Sequence, residues 1–272
     1  MTTPDAAQMQ ALNEAFYQEG DAEPYDESPH LKHQSIHTAL LGHLRGAVDD
    51  VCARGLRPTL LDIGAGVGPF VEPALAAGCS VTATDMAPTA VEKLQERYRR
   101  NRSFVGLLDS DGDLRNVPNN FSIILYASVL HHIPDYIGAL ENSLGHLSPG
   151  GALLTFQDPM WYPSMQRGVH RLQVAAYLAW RVTQRRNYIA GIRFRLRHLS
   201  GRLDPSNPSD MVEYHVVRNG VNQQLIAETL APRFEQFTVV PYWSTMSRPA
   251  QALGERLRLE SDFAIIALGF RG

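Results

Sequence analysis

The sequence predicts an α/β protein, a doubly wound, mainly parallel seven-stranded sheet with helices on both faces. Three observations carry this. Short apolar runs alternate with helical patterns from residue 58 onward. The first run, LLDIGAGVGPF (Leu60 to Phe70), stops at an acid and turns into glycines. A composition of 44% hydrophobic and 19% charged residues over 272 positions is that of a globular chain with room for a sizeable insertion.

The elements follow in order. TLLDIG (Thr59 to Gly64) reads as a buried strand and FVEPALAAG as a helix ended by Gly78. SVTATD (Ser80 to Asp85) is the second strand, and Pro88 to Arg100 a helix with proline near its start. SFVGLLD is the third strand and FSIILYAS (Phe121 to Ser128) the fourth. A helix over Ala139 to Leu147, an SPGG turn and the strand ALLTFQD (Ala152 to Asp158) come next. Then the rhythm breaks. Basic helical pattern fills about 161–220, read as an insertion over the carboxyl edge of the sheet. VNQQLIAETLAP resumes a helix, followed by EQFTVV, a helix over Gln251 to Leu259 and the last strand, DFAIIALGF. Residues 1–55 read as a helical N-terminal cap and 56–272 as the sheet domain.

Several function classes are excluded or disfavoured. A net charge of −3 predicts no general attraction to nucleic acid, and neither a reading module nor an Asn-Pro-Pro-Tyr motif is present. Cys52 and Cys79 are too widely spaced for a zinc ribbon or redox pair and read as small buried residues. The start, MTTPDAAQMQ, lacks the basic and apolar blocks of a signal peptide, and VAAYLAW (Val174 to Trp180) is too short to span a bilayer. A cytoplasmic protein without integral membrane contact is expected. Charge is nevertheless uneven: Met1 to His30 holds seven acids and no Lys or Arg, whereas Pro163 to Arg202 holds nine arginines and no acid. The two segments are expected to form one lid, within a subunit or across a homodimer.

The glycine turn reads Asp62-Ile63-Gly64-Ala65-Gly66-Val67-Gly68, an acid two residues before three alternating glycines. Glycines let the backbone pass close beneath a ligand. A carboxylate beside them would repel a pyrophosphate but suit an amino-acid tail or a cationic cofactor. Asp85, ending the second strand, is placed to accept bonds from ribose hydroxyls. Here the sequence resembles the class I S-adenosylmethionine (SAM)-dependent methyltransferases. LLDIGAGVG, VTATDMAP, FSIILYASVLHHI and LSPGGALLTF match four motifs of that family in order, over about Thr59 to Gln157.

The resemblance implies a Rossmann-like sheet with SAM as cofactor. Gly64, Gly66 and Gly68 would lie under the methionine part, with Asp62 near its ammonium through backbone or water. Asp85 would hold the ribose, Met86 would pack on the adenine, and Ser128 belongs to the same set. In LLDSDGDL either Asp109 or Asp111 would meet the adenine amino group, with Asp111 favoured. A calcium loop starting at Asp109 is rejected, because its twelfth position is Asn120 rather than Glu.

SVLHHIPD follows the fourth strand, at the edge where open α/β sheets bind ligands. His131 and His132 either shape the cofactor wall or act chemically. An alcohol is a poor methyl acceptor until its proton leaves, and imidazole is a suitable base near neutral pH. Asp158 could orient that histidine or bind a second hydroxyl. Such a pair with an acid near strand five resembles sugar O-methyltransferases of natural-product and cell-surface glycan pathways, which implies a small-molecule or oligosaccharide acceptor. Trp161 and Tyr162 offer aromatic faces for a sugar ring, or belong to the core. Some sugar methyltransferases also use magnesium, which would place the ion on Asp158. His33 and His37, four apart, could form a metal pair but read more simply as part of a lid helix. The alternatives are N-, C- or O-methylation of an aromatic or polyketide-like metabolite, and a membrane-associated lipid methyltransferase using VHRLQVAAYLAWRVTQRRNYI at an interface.

Overall fold

The computed structural model describes residues 28–183 and 220–272. Its seven strands are β1 (Thr59–Ile63), β2 (Ser80–Asp85), β3 (Phe104–Leu108), β4 (Phe121–Ala127), β5 (Leu147–Pro159), β6 (Phe234–Tyr242) and β7 (Asp262–Phe270). They form one sheet in the order β3-β2-β1-β4-β5-β7-β6. Strands β1 to β5 run parallel, and β7 is antiparallel to both its neighbours. The chain steps outward from β1 to β3 and then returns to place β4 on the other side of β1. That reversal opens a crevice beyond the carboxyl ends of β1 and β4.

The central strands are continuous apolar runs because helices cover both their faces. On one face α2 (Gln34–Ala53), α3 (Val71–Ala76) and α4 (Pro88–Tyr98) bury Leu40, Leu44, Val51, Phe70 and Leu94 against Leu60, Leu154 and Phe156. On the other, α5 (Tyr136–Leu144) and α7 (Gln223–Leu230) bury Leu140, Ile226 and Leu230 against Leu61, Ile124 and Phe263. A short helix α1 (Pro29–Lys32) precedes α2. Helix α6 (Arg167–Thr183) follows β5, and α8 (Arg248–Arg256) lies between β6 and β7. No helix among the described residues is long and apolar enough to cross a membrane.

Several expectations are corrected. Helix α2 is one layer of the sheet's core rather than a cap beside it, because Leu40, Leu44, Ala47, Val48 and Val51 recur at helical spacing and are buried. Cys79 is buried but Cys52 is exposed on the solvent side of α2. Helix α5 starts at Tyr136, where the Asp135 carboxylate accepts the Gly138 N–H at 2.9 Å, rather than at Ala139. The SPGG segment lies inside β5. The β4–β5 register shifts there, and a Cβ on Gly151 would sit 2.8 Å from the Ser122 carbonyl. Helix α8 is set three residues earlier than expected by its Ser247 cap.

The chain leaves the sheet for the insertion and rejoins it at one place. Met160 and Val221 form a parallel bridge, and the Val221 N–H donates to the Pro159 carbonyl at 2.9 Å. Gly220 is left-handed (φ +83°), and a Cβ there would collide with the Met160 carbonyl. Residues 1–27 and 184–219, which carry the acidic arm and most of the arginine-rich segment, lie outside the described residues.

Candidate active site

The glycine turn passes from β1 to α3 in a left-handed zigzag, with φ of +68°, +55° and +69° at Gly64, Gly66 and Gly68. Two of these glycines answer to the protein's own packing. A Cβ on Gly64 would sit 2.9 Å from the Val129 methyls, and one on Gly68 would sit 2.6 Å from Leu94 Cδ2. Gly66 does something different. Its N–H donates to Asp85 Oδ2 at 2.8 Å, while the Ala87 N–H donates to Oδ1 at 2.9 Å. Asp85 therefore ties the turn to β2, and its carboxyl, which also faces the Met86 N–H, retains acceptor capacity for a further donor.

Asp62 is 1% exposed, and neither carboxyl oxygen has a hydrogen-bond partner. Burial, assisted by the charge of Asp85, pushes its pKa up to about 8. An unpaired buried acid is costly, and beside a glycine turn it is an acceptor awaiting a cation. Met86 is half-buried, with its sulfur 3.9 Å from a Cβ placed on Gly112. Of the two candidate acids after β3, Asp109 is the half-buried one. Its N–H donates to the Asp85 carbonyl at 3.0 Å, whereas Asp111 is exposed.

The turn after β4 faces this region. Ser128 is left-handed (φ +63°) and its N–H donates to the Phe156 carbonyl at 2.7 Å, turning the chain across the end of β5. A 3₁₀ turn over Leu130–His132 follows. Asp158 Oδ1 accepts both the His131 main-chain N–H (3.1 Å) and, at 2.8 Å, a bond with His131 Nδ1. Because this oxygen already accepts the main-chain N–H, the network assigns the ring hydrogen to Nδ1 and makes Nε2 the proton-accepting nitrogen. Burial lowers the His131 pKa to about 4 and pushes Asp158 up, the latter opposed by the N–H groups of His131 and Leu130. The imidazole is thus neutral near pH 7. His132 lies beside it, ring centroids 4.0 Å apart, and is likewise lowered by burial.

Asp158 is fully buried; its Oδ1 holds His131, while its Oδ2 has no hydrogen-bond partner. No metal-holding cluster occurs among the described residues. His33 and His37 diverge. His33 Nε2 bonds the Thr245 carbonyl at 2.7 Å and His37 Nδ1 the His30 carbonyl at 3.1 Å. Trp161 and Tyr162 are half-buried directly after β5, with Tyr162 4.6 Å from His170 of α6. Lys32 of α1 lies 5.7 Å over the Trp180 ring, joining the start of the described chain to α6.

Sequence reasoning missed His30. It is 1% exposed and stacks on Phe70 at 6.3 Å. It lies close enough to His131 for that charge, after burial and His37, to lower its pKa to about 3. Its signal was the histidine spacing in HLKHQSIH, which was read only as a metal pair or lid.

Residues 61–153 match the methyltransferase-domain family. Over that segment the chain is similar to a methyltransferase domain. The methyltransferase fold also extends beyond the matched segment. The plantazolicin methyltransferase BpumL, solved with SAH, superposes at a TM-score of 0.55 with 12% identity, covering 96% of this chain and 95% of that one. The N-methyltransferase NodS of Bradyrhizobium japonicum WM9, solved with S-adenosyl-L-homocysteine (SAH), gives 0.54 with 16% identity over 97% and 98%. A demethylmenaquinone methyltransferase of Tropheryma whipplei (strain Twist) is 25% identical over 203 residues, 73% of this chain and 74% of that protein. The expected class I methyltransferase architecture is therefore present.

Proposed function

We propose that the protein is a SAM-dependent O-methyltransferase in which the His131–Asp158 dyad takes the proton from an acceptor hydroxyl. The 2.8 Å contact between His131 Nδ1 and Asp158 Oδ1 at the mouth of the crevice carries this reading. The residues present fit the cofactor. Asp62 offers an unpaired carboxyl to the ammonium, Asp85 offers acceptors to the ribose hydroxyls, and Asp109 and Met86 border the adenine side. When bound, SAM supplies an electrophilic methyl group on a sulfonium. The chain aligns an oxygen with that methyl, receives its proton on His131 Nε2, and offsets the resulting imidazolium with Asp158.

A sugar or glycan hydroxyl is the acceptor favoured here, with the half-buried Trp161 and Tyr162, which follow β5, as candidate aromatic faces. Methylation at a ring carbon of a hydroxyaromatic acceptor is the second reading, favoured by the demethylmenaquinone methyltransferase relative; there the proton lost is the one on that carbon. A methyl-transfer assay with labelled SAM against sugars, oligosaccharides and hydroxyaromatics tests both. Base-stable label on a sugar oxygen supports the first reading and label on a hydroxyaromatic the second. Transfer only to amines, with all hydroxyl compounds inert, overturns O-methylation.

Asp62 makes cofactor binding depend on pH. Its folded pKa of about 8 lies above the ordinary 3.8, so the neutral carboxyl stabilises the free protein at low pH, and that contribution is lost as pH rises toward 8. An ammonium ligand requires the carboxylate, so SAH binding expels a proton. Between about pH 5 and 7 the SAH affinity should rise by up to roughly tenfold per pH unit. Calorimetry in buffers of different ionisation enthalpy should record close to one proton released in the parent and far less in Asp62→Asn. Equal release in both proteins would remove Asp62 from this role.

A further inference from the structure

The β5–β7 ladder contains one residue too many, and the extra residue decides which way Asp158 points. Leu153, Leu154 and Thr155 pair with Ala267, Ile266 and Ile265, but Asp158 pairs with Phe263, one step out of register. Side chains alternate across a strand, and one added residue reverses every later one. Leu154 and Phe156 face α2 and α3, so unbroken alternation would send Asp158 to that same side. With the extra residue it instead shares the face of its partner Phe263, where α5 and the β4 turn with Leu130 lie. That is the face on which His131 waits.

The residue that absorbs the slip is Gln157. It is left-handed (φ +60°), a conformation an L side chain rarely adopts, and it is held there from several directions. Its N–H donates to the Tyr242 hydroxyl at 2.9 Å, and that hydroxyl donates back to Gln157 Oε1 at 3.3 Å. Its Nε2 donates to Ser244 Oγ at 2.8 Å and to Asp262 Oδ1 at 3.2 Å. The Ser261 hydroxyl completes the group by donating to Asp262 Oδ2 at 2.6 Å. Among the described residues this buried network makes no hydrogen bond to His131 or Asp158, although Tyr242 and Asp262 lie near enough to feel the Asp158 charge. A left-handed non-glycine residue in the middle of a buried ladder points to a site-directed constraint.

We infer that Gln157 is a positioning residue for methyl transfer: its left-handed bulge carries Asp158 through the sheet to hold His131. The inference rests on the dyad reading, but its readout needs no acceptor, so the two can fail separately. In the SAH complex, NMR of isotope-labelled histidine should show a downfield ring N–H signal that disappears in His131→Ala. Gln157→Gly loses the whole amide network but adopts the left-handed backbone freely, so the signal should remain. Gln157→Val loses the same bonds and resists that backbone, so the signal should be lost while SAH affinity stays within about threefold. In turnover assays the valine substitution should cost about tenfold or more in the parent but little in an Asp158→Ala background, because both changes remove one contact. A signal kept by Gln157→Val, or lost from a Gln157→Gly protein that still binds SAH, overturns the inference. Should the valine variant not fold, the glycine variant decides the matter by itself.

Discussion

His131→Ala should lower turnover by about a hundredfold or more while SAH affinity stays within roughly threefold of the parent. The reason is division of labour. The residues proposed to hold the cofactor stand on β1, β2 and the loop after β3, whereas His131 is carried by the turn after β4 and bonded to β5. Burial lowers the imidazole to about 4 and keeps it neutral in the ordinary working range. At saturating cofactor, kcat should therefore stay level as pH falls through 6.5, the usual histidine value, and decline only near the lowered one. Asp158→Asn should lower kcat as well, since an amide can hold the ring but cannot offset an imidazolium. Steady-state kinetics on the acceptor found by the labelling assay would measure both variants. A His131→Ala enzyme as active as the parent across neutral pH would end the base assignment, and an effect confined to His132 would move it one residue along.

Asp85→Ala should weaken SAH binding about a hundredfold, or near 3 kcal/mol, with the sheet intact. Two losses combine. The ribose hydroxyls lose their acceptor, and Gly66 loses the 2.8 Å bond that anchors the turn beneath the ligand. Asp85→Asn separates them, because its amide oxygen can still accept one main-chain N–H. Its affinity should fall between parent and alanine. Calorimetry with SAH, paired with thermal unfolding, distinguishes this from general damage. Unchanged SAH affinity in Asp85→Ala would remove Asp85 from the cofactor site.

Much of this was legible in the chain because local chemistry determined it. Thr59–Ile63 and Phe121–Ala127 are apolar throughout because both faces of a central parallel strand are covered, and the acids at Asp62 and Asp85 stand out against that background. The dyad was readable as a pair of candidates, His131 and Asp158, on consecutive strand ends. Less was readable where one residue's conformation mattered more than its type. Gln157 looks like an ordinary polar residue closing a strand, and nothing local announces that it is left-handed. The sequence favoured Asp111 over Asp109, and it did not show that the Asp109 main chain is the one bonded to β2. His30 required a tertiary contact between α1 and the β4 turn, which no local pattern encodes.

The bridge between Met160 and Val221 has an evolutionary consequence. Because the strand end and the start of the returning segment are already paired, the closure cost of the excursion between them rises only slowly with its length. The sheet is therefore nearly blind to what is threaded through that gap. On the proposed reading, cofactor chemistry, held on β1, β2 and the loop after β3, can drift at a different rate from whatever the excursion carries. A lineage could exchange one acceptor preference for another by recombining sixty-odd residues at a single seam, leaving the dyad and the glycine turn untouched.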